Sequence, residues 1–539
     1  MTFLRQSRTS QRLFQEIWPK SKGGRLAGRR RCFDECGPVD CLLRRLNGLR
    51  QWCISQAKAS GEAMINREST EPTGANRLAA SISPETTALK LALTGLAGSS
   101  IEWYDFFLYA TAAALVFPSV FFSSTLPPLI ALIASFSTFA VGFLARPIGA
   151  LVFGHIGDRL GRKAALVGAL IVMGTATSLI GLLPTYRAAG GFSPLVLVLL
   201  RLTQGLAVGG QWGGSMLLAT ENAPKAKRGL YGSIAQAGVP VGVVLANLAF
   251  LGVSGAMSPE AFMSYGWRIP FLLSIAFVGV GILIQLRMED TSPFRRLQQS
   301  RLSDPRLRDP TPAYPRSAAP PRSSPVFDAF HLHPRMMLLA AGAYVSTNLS
   351  FYILITYIVS YGTSVAGLNL PRSTMLAAVL IANAAVIPML FLAGSLSDRY
   401  GRRRVFMTGV ALVGVWSFVL FPLIETRSFV WITAAELIGA CFNALTYGPM
   451  AAMFAELFST RVRCSAVSLA YQLGAIVGGG LAPIIATALF ARFHSNVGVS
   501  IYVSGACVFS LCCAHMLRET RGADLDEHAA SDAATVLAG

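Results

Sequence analysis

Gly154-His-Ile-Gly-Asp-Arg-Leu-Gly-Arg-Lys163 follows one long apolar run, and Gly394-Ser-Leu-Ser-Asp-Arg-Tyr-Gly-Arg-Arg403 follows another far down the chain. Both read G-x-x-x-D-R-x-G-R-[RK]. A second pair of charged stretches accompanies them: Glu221 with Arg228, and Glu456 with Arg463, each spaced Glu-x₆-Arg. The chain therefore contains one unit twice. Outward from these loops the sequence resolves into twelve apolar runs, near 93–117, 128–153, 164–184, 194–219, 231–253, 267–286, 336–360, 374–396, 405–424, 428–454, 464–491 and 497–517. About 20 apolar residues in a helix cross a bilayer. The runs lack the alternation of barrel strands, and a backbone in lipid must satisfy its own hydrogen bonds, so they are read as helices.

Composition agrees with a membrane chain. Of 539 residues, 53% are hydrophobic and 14% charged, where soluble domains carry roughly 25% charged residues. Nine cysteines are too few for a disulfide scaffold. The net charge of +19 lies in loops between apolar runs, where it orients spans rather than marking a nucleic-acid surface. Of Lys and Arg, the loops near 118–127, 185–193, 254–266, 361–373, 425–427 and 492–496 hold only Arg187, Arg372, Arg427 and Arg492 between them. Arg159, Arg162 and Lys163, then Lys225, Lys227 and Arg228, then Arg399, Arg402, Arg403 and Arg404 crowd the alternate loops. By the positive-inside rule these basic loops and both termini are cytoplasmic. The expected fold is an all-α polytopic membrane protein of twelve transmembrane helices in two six-helix pseudo-symmetric bundles, related by an axis along the membrane normal.

The expected division is a basic cytoplasmic tail over 1–90, a six-helix bundle over 91–290, a cytoplasmic linker over 291–334, a second bundle over 335–518 and a cytoplasmic tail over 519–539. The linker is rich in Arg, Pro and Ser and cannot bury a core. The first 90 residues hold 16 Lys and Arg and Cys32, Cys36, Cys41 and Cys53, but no apolar segment of a signal peptide. Their cysteine spacing is not that of a zinc site, and no metal or organic cofactor is expected. Two readings of this stretch stand: a disordered tail, or a translation start at Met64.

With these residues in view, the sequence resembles the major facilitator superfamily. The paired loops carry the resemblance, with Arg201-Leu-Thr-Gln204-Gly205 similar to that superfamily's R-x-x-Q-G motif. Three further stretches resemble its metabolite:proton symporter family: Ile101-Glu-Trp-Tyr-Asp-Phe-Phe-Leu-Tyr109, Arg146-Pro-Ile-Gly149, and Ala455-Glu-Leu-Phe-Ser-Thr-Arg-Val-Arg463 leading into Tyr471-Gln-Leu-Gly474. Gln211 stands where many relatives carry Glu, and Ser459 where Pro is usual. The resemblance implies that Gly154, Asp158, Arg159, Gly161, Arg162, Gly394, Asp398, Arg399, Gly401, Arg402, Glu221, Arg228, Glu456 and Arg463 form gating loops that latch one state and release in another. Simple enforcement of topology is the competing reading of the cations.

Five charges fall inside spans: Glu102, Asp105, Arg146, Arg201 and Glu436. A charge at mid-membrane costs several kcal/mol and is usually functional. Glu102, Asp105 and Tyr109 share one helical face, expected to line the central cavity. Asp105 is expected to pair with Arg201, either as a proton switch or as a static ion pair. Arg146, with no acid in its own span, suits an anionic group held by two parallel hydrogen bonds, or snorkels to the interface. Glu436 is the repeat counterpart of Arg201, with a packing or a coupling role. Gln204, Gln211, Trp212, Gln236, Asn247, Asn348, Tyr352, Asn383, Asn443, Tyr447 and Gln472 supply further polarity, as substrate contacts or as bonds between helices.

The expected function is proton-coupled import of a small polar metabolite by alternating access, with a carboxylate favoured by Arg146 and Arg201. Efflux of amphipathic compounds and uptake of a zwitterionic osmolyte such as a betaine are the alternatives. The partners are a small-molecule substrate, the proton and the lipid bilayer of the cell membrane, with no nucleic acid and no obligate protein. No G-x-S-x-G, Walker loop or metal-spaced His/Asp/Glu cluster points to an enzyme.

Overall fold

Residues 84–160, 162–209, 212–287, 334–458 and 463–523 are described by the computed structural model; the tail 1–83, the linker 288–333, residues 524–539 and Gly161, Gly210, Gln211 and 459–462 lie outside the described residues. The expectations for the N-terminal tail and the linker fall there.

The first half comprises α1 (Pro84–Leu115), α2 (Pro128–Leu160), α3 (Arg162–Leu182), α4 (Phe192–Gly209), α5 (Trp212–Glu221), α6 (Arg228–Gln236), α7 (Gly238–Gly255) and α8 (Arg268–Arg287). The second comprises α9 (Pro334–Tyr352), α10 (Ile358–Thr363), α11 (Arg372–Tyr400), α12 (Arg402–Glu425), α13 (Phe429–Leu457), α14 (Arg463–Ala475), α15 (Ala482–Phe493) and α16 (Val497–Met516). The fourth span joins α4 to α5, the fifth α6 to α7, the seventh α9 to α10 and the eleventh α14 to α15. In the last two the join is a five-residue π turn, Ile353–Tyr357 and Ile476–Gly480.

Among the described residues ten helices are long and apolar enough to cross a membrane, and the bent pair Pro259–Gly266 and Arg268–Leu283 makes an eleventh span. The twelfth is α1. At 32 residues and about 1.5 Å per residue it is long enough to cross, but Glu102 and Asp105 lower its apolarity. Each remaining span turns large apolar side chains outward, among them Leu144, Ile148, Leu182, Leu195, Ile275, Val415, Val430 and Ile501. In water such a belt would aggregate; against lipid tails it is the expected surface.

Lipid provides no hydrophobic drive between helices, so close approach of small residues does the packing. A Cβ on Gly205 of α4 would strike the carbonyl oxygen of Gly142 in α2, and one on Gly209 the carbonyl oxygen of Arg146. These glycines seat α4 directly on α2 and so fix where Arg146 and Arg201 can lie.

The paired charged motifs, read as loops from the sequence, are largely helical. Gly154 to Leu160 and Gly394 to Tyr400 continue the helices α2 and α11, and in the second copy the next residue leaves the helix. In the second copy that residue is Gly401, at φ 107°, a conformation that favours glycine. Its missing Cβ also leaves room for the Glu519 carboxylate.

Candidate functional site

Three places in the bundle concentrate polar chemistry. The first is a narrow cavity between the halves. Its wall comes mainly from α9, α11 and α13, with Tyr471 of α14, and is closed on the other side by Trp103 of α1 and Val239 and Pro240 of α7. Asn348, Tyr352, Asn443 and Tyr447 line it as the sequence suggested, as does Asn383. Asn443 is held by its amide, which donates to Thr347 O at 2.9 Å and Ser350 Oγ at 2.6 Å.

The expected α1 face does not line this cavity. Successive residues on a helix differ by about 100°, and the residue that reaches the cavity is Trp103. Asp105 turns the other way, accepting a hydrogen bond from Ser274 Oγ of α8. Glu102 is half-buried, outside the residues that line the cavity.

The second place lies behind the Trp103 and Tyr352 wall. Arg146 of α2 is 1% exposed, so it does not snorkel. Its guanidinium carbon lies 4.1 Å from the Phe143 ring centre, 4.4 Å from Phe106 and 5.9 Å from Trp103. Arg201 of α4 is 0% exposed, at 4.2 Å from the Tyr109 ring, 4.3 Å from Phe106 and 4.6 Å from Phe139. Phe106 thus touches both cations. The expected ion pair between Asp105 and Arg201 is not formed. Arg201 Nη1 instead donates to Gln204 Oε1 at 3.1 Å, and Gln204 Nε2 to Thr177 Oγ1 at 2.7 Å. Thr177 lies beside Asp105, but its hydroxyl donates to Met173 O at 2.9 Å, so acid and base share a neighbourhood rather than a bond. Tyr109 donates to Thr138 Oγ1 at 2.7 Å, which turns its ring, not its hydroxyl, to Arg201.

Nε and Nη2 of both arginines lack a hydrogen-bond partner among the described residues, as does Asp105 Oδ2. Ring faces stabilise a cation by about 0.5–2 kcal/mol each, less than a buried unpaired charge loses. Nε and Nη2 form one edge of the guanidinium fork, the edge that takes a carboxylate through two parallel bonds.

The third place is the end of the bundle bearing the basic loops, where the repeat pairs are exchanged. Glu221 pairs with Arg463 at 3.1 Å and Glu456 with Arg228 at 3.7 Å, so each acid meets the arginine of the other half. Glu456 also receives Arg402 Nε at 3.3 Å. Asp398 accepts the backbone N–H of Gly229 and of Leu230, each at 2.9 Å, and Arg402 Nη1 at 2.5 Å. Gly229 and Leu230 open α6, so a carboxylate from one half caps a helix of the other. Arg399 beside it stacks on its neighbour Tyr400 instead. Gly154, Asp158, Arg159 and Arg162 sit at the junction of α2 and α3; their side chains, like that of Trp212, and all of Gly161 and Gln211 lie outside the described residues.

Gln236 and Gln472 prove to be bonds between halves rather than cavity contacts: Gln236 Nε2 donates to Gly448 O at 3.4 Å and Gln472 Nε2 to Gly209 O at 3.3 Å. Asn247 bonds Thr111 at 3.3 Å. Sequence reasoning missed Thr177 and Ser274, since a hydroxyl inside an apolar run gives no signal of its partner.

Comparison with known proteins accords with this arrangement. Residues 91–531 match the sugar (and other) transporter family. The inner membrane metabolite transport protein YhjE of Escherichia coli K12 is 37% identical over 441 residues, covering 81% of this chain and 96% of that protein. The shikimate transporter of the same organism is 36% identical over 438 residues, covering 81% and 96%, and the proline/betaine transporter of Salmonella typhimurium is 31% identical over 437 residues, covering 80% and 84%. The solved proton:xylose symporter XylE, of the major facilitator superfamily, shares the fold with a TM-score of 0.63 at 16% identity, over 83% of this chain and 100% of that one. Matching motifs, two repeated bundles and relatives that span the same length make the chain a member of the sugar (and other) transporter family of the major facilitator superfamily, a multi-pass membrane transporter of metabolites.

Proposed function

We propose that the protein imports a small carboxylate-bearing metabolite together with a proton, by rocking of its two halves. The observation that carries this reading is the pair of buried arginines whose Nε and Nη2 edges are unpaired. A buried cation without a counter-ion is costly, and a substrate carboxylate on Arg146 would relieve that cost in the loaded state alone. The naming of one relative as a shikimate transporter is in keeping, since shikimate is a ring carboxylate.

Arg146 is sealed from the cavity by rings of both halves: Tyr352 of α9 meets Phe143 at 5.4 Å and Phe139 at 5.6 Å between ring centres. Parting the halves at this level uncovers the guanidinium. Asp105 is the proposed proton carrier. Its carboxyl lies beside Thr177, which accepts the Gln204 amide that is bonded to Arg201; in the proposed account an anion drawn to the arginine pair and a proton on Asp105 each alter the other's free energy. Asp398, Arg402, Glu456, Arg228, Glu221 and Arg463 hold the basic end shut, and their exchange of partners between halves is what must break when that end opens. The basic loops and both termini are assigned to the cytoplasm from their charge.

Uptake of radiolabelled carboxylates into proteoliposomes, with an inward proton gradient imposed, tests the reading. Accumulation of a carboxylate that collapses when the gradient is dissipated, and that Arg146→Ala abolishes, is expected. Uptake indifferent to the gradient, or untouched in the variant, contradicts it.

A further inference from the structure

The end of the bundle opposite the basic loops is bridged by a cation that no acid meets. Arg372 opens α11 in the second half. Its Nη1 donates to the Met263 sulfur of the first half at 3.2 Å, and its guanidinium carbon lies 5.8 Å from the Phe262 ring centre. No carboxylate pairs with Arg372 among the described residues. Each side of this contact is held firmly by its own half. Phe262 and Met263 begin the π turn Phe262–Gly266. Phe262 is buried and its ring meets Phe250 of α7 at 6.1 Å, while Arg268 ties the turn to the end of α3, donating to Ser264 O and Leu183 O at 3.0 Å each. On the other side the chain before Arg372 folds back on α10, with Leu368 N–H donating to Tyr361 O at 3.1 Å and Leu370 N–H to Gly362 O at 2.8 Å. Arg372 thus joins two platforms that can part only as bodies.

We propose that Arg372 is the pin of this outer end, seated on Met263 and Phe262 and released each time the halves part on that side. The inference rests on the reading of two rocking halves. The chemistry of the seat suits a contact made and broken in every cycle. A thioether is a weak acceptor, and a ring face holds a hydrated cation only modestly. Arg372 and Met263 are both half-buried, so on release the guanidinium returns to water and leaves no buried charge behind. The basic end is held differently: parting it takes Arg228 from Glu456, which is 0% exposed. A buried charge stripped of its partner is costly. The outer end is therefore the easier of the two to open, and it stays so because its seat is neutral. An acid in the place of Met263 would turn the pin into an ion pair and hold that end shut.

Nitroxides at Ala256 and Val365, exposed positions of opposite halves at this end, read its opening by double electron–electron resonance on the full-length protein in lipid nanodiscs. A second pair, at Ala226 and Tyr400, reports on the basic end. Arg372→Ala should raise the ratio of long to short outer distances about five- to tenfold, or roughly 1–1.4 kcal/mol, and leave the inner distances as in the wild type. Met263→Glu puts a carboxyl carbon where the sulfur stood and should lower the same ratio about two- to fivefold. Adding Arg372→Ala to Met263→Glu should cancel that closure. An outer distribution unchanged in Arg372→Ala, or closure by Met263→Glu that survives the loss of Arg372, overturns the pin. Broadening at both ends in Arg372→Ala marks a general loss of packing and overturns it as well. Outer distances fixed in every variant, while Asp398→Ala lengthens the inner ones, overturn the pin and leave the rocking halves standing. Distances fixed at both ends overturn both.

Discussion

Replacing Asp398 by alanine should unlatch the basic end. The carboxylate accepts two backbone N–H groups of the opposite half at 2.9 Å each, those of Gly229 and Leu230. Hydrogen bonds to a charged group are worth about 1.5–3 kcal/mol apiece, so the closed arrangement loses about 3–6 kcal/mol relative to the open one. At the lower figure the ratio of closed to open falls by roughly a hundredfold or more, and an equilibrium near 99:1 becomes about even. Arg402 is not stranded by the change, because Glu456 still holds its Nε at 3.3 Å, so the helix bundle itself should survive. Double electron–electron resonance between nitroxides at Ala226 and Tyr400, placed on opposite halves, reads the distance across this end. The wild type should give one short distribution, Asp398→Ala a second, longer one, and Asp398→Asn an intermediate, since it keeps one acceptor oxygen. An Asp398→Ala distribution indistinguishable from wild type would refute the latch.

Three further outcomes are expected. Gly205→Val drives a side chain into the Gly142 carbonyl oxygen and should cost about 1–3 kcal/mol, seen as a lowered Tm of the purified protein; an unchanged Tm contradicts the α2–α4 contact. Asp105→Asn keeps a partner for Ser274 but cannot carry charge, so exchange into preloaded vesicles should persist while accumulation against a gradient is lost; retained accumulation removes Asp105 from coupling. Glu221→Ala breaks a pair in which the acid is 33% exposed and should change stability by no more than about 1 kcal/mol, whereas Arg402→Ala leaves the fully buried Glu456 with Arg228 alone, at 3.7 Å, and should cost more, up to about 3 kcal/mol. Equal effects of the two in denaturant titrations would count against this ranking.

The fold was largely legible because lipid makes it so: the backbone must be helical, each helix must be long, and loop charge orients it. The twelve runs and the repeat followed from those constraints, and the exchange of Glu221 and Glu456 between arginines follows once the two halves face each other. That Asp105 and Arg201 do not pair directly was not legible. Opposite charges inside two spans suggested a pair, but which way a side chain turns depends on hydroxyls such as Ser274 and Thr177, which look like any other residue of an apolar run. The same limit hid the side of α1 that meets the cavity: the period of the helix places Glu102, Asp105 and Tyr109 together, yet it is Trp103 that the second half closes upon. Gln236 and Gln472 likewise carry no sequence mark separating a substrate contact from a bond to a neighbouring backbone.

The most direct test of the central claim is proton movement driven by substrate alone. Proteoliposomes containing a pH-sensitive dye, with no gradient imposed, are given an inward gradient of the carboxylate they accumulate. The account predicts that the lumen acidifies with substrate entry, and that Asp105→Asn abolishes the acidification. Entry of substrate at a constant lumenal pH would contradict it.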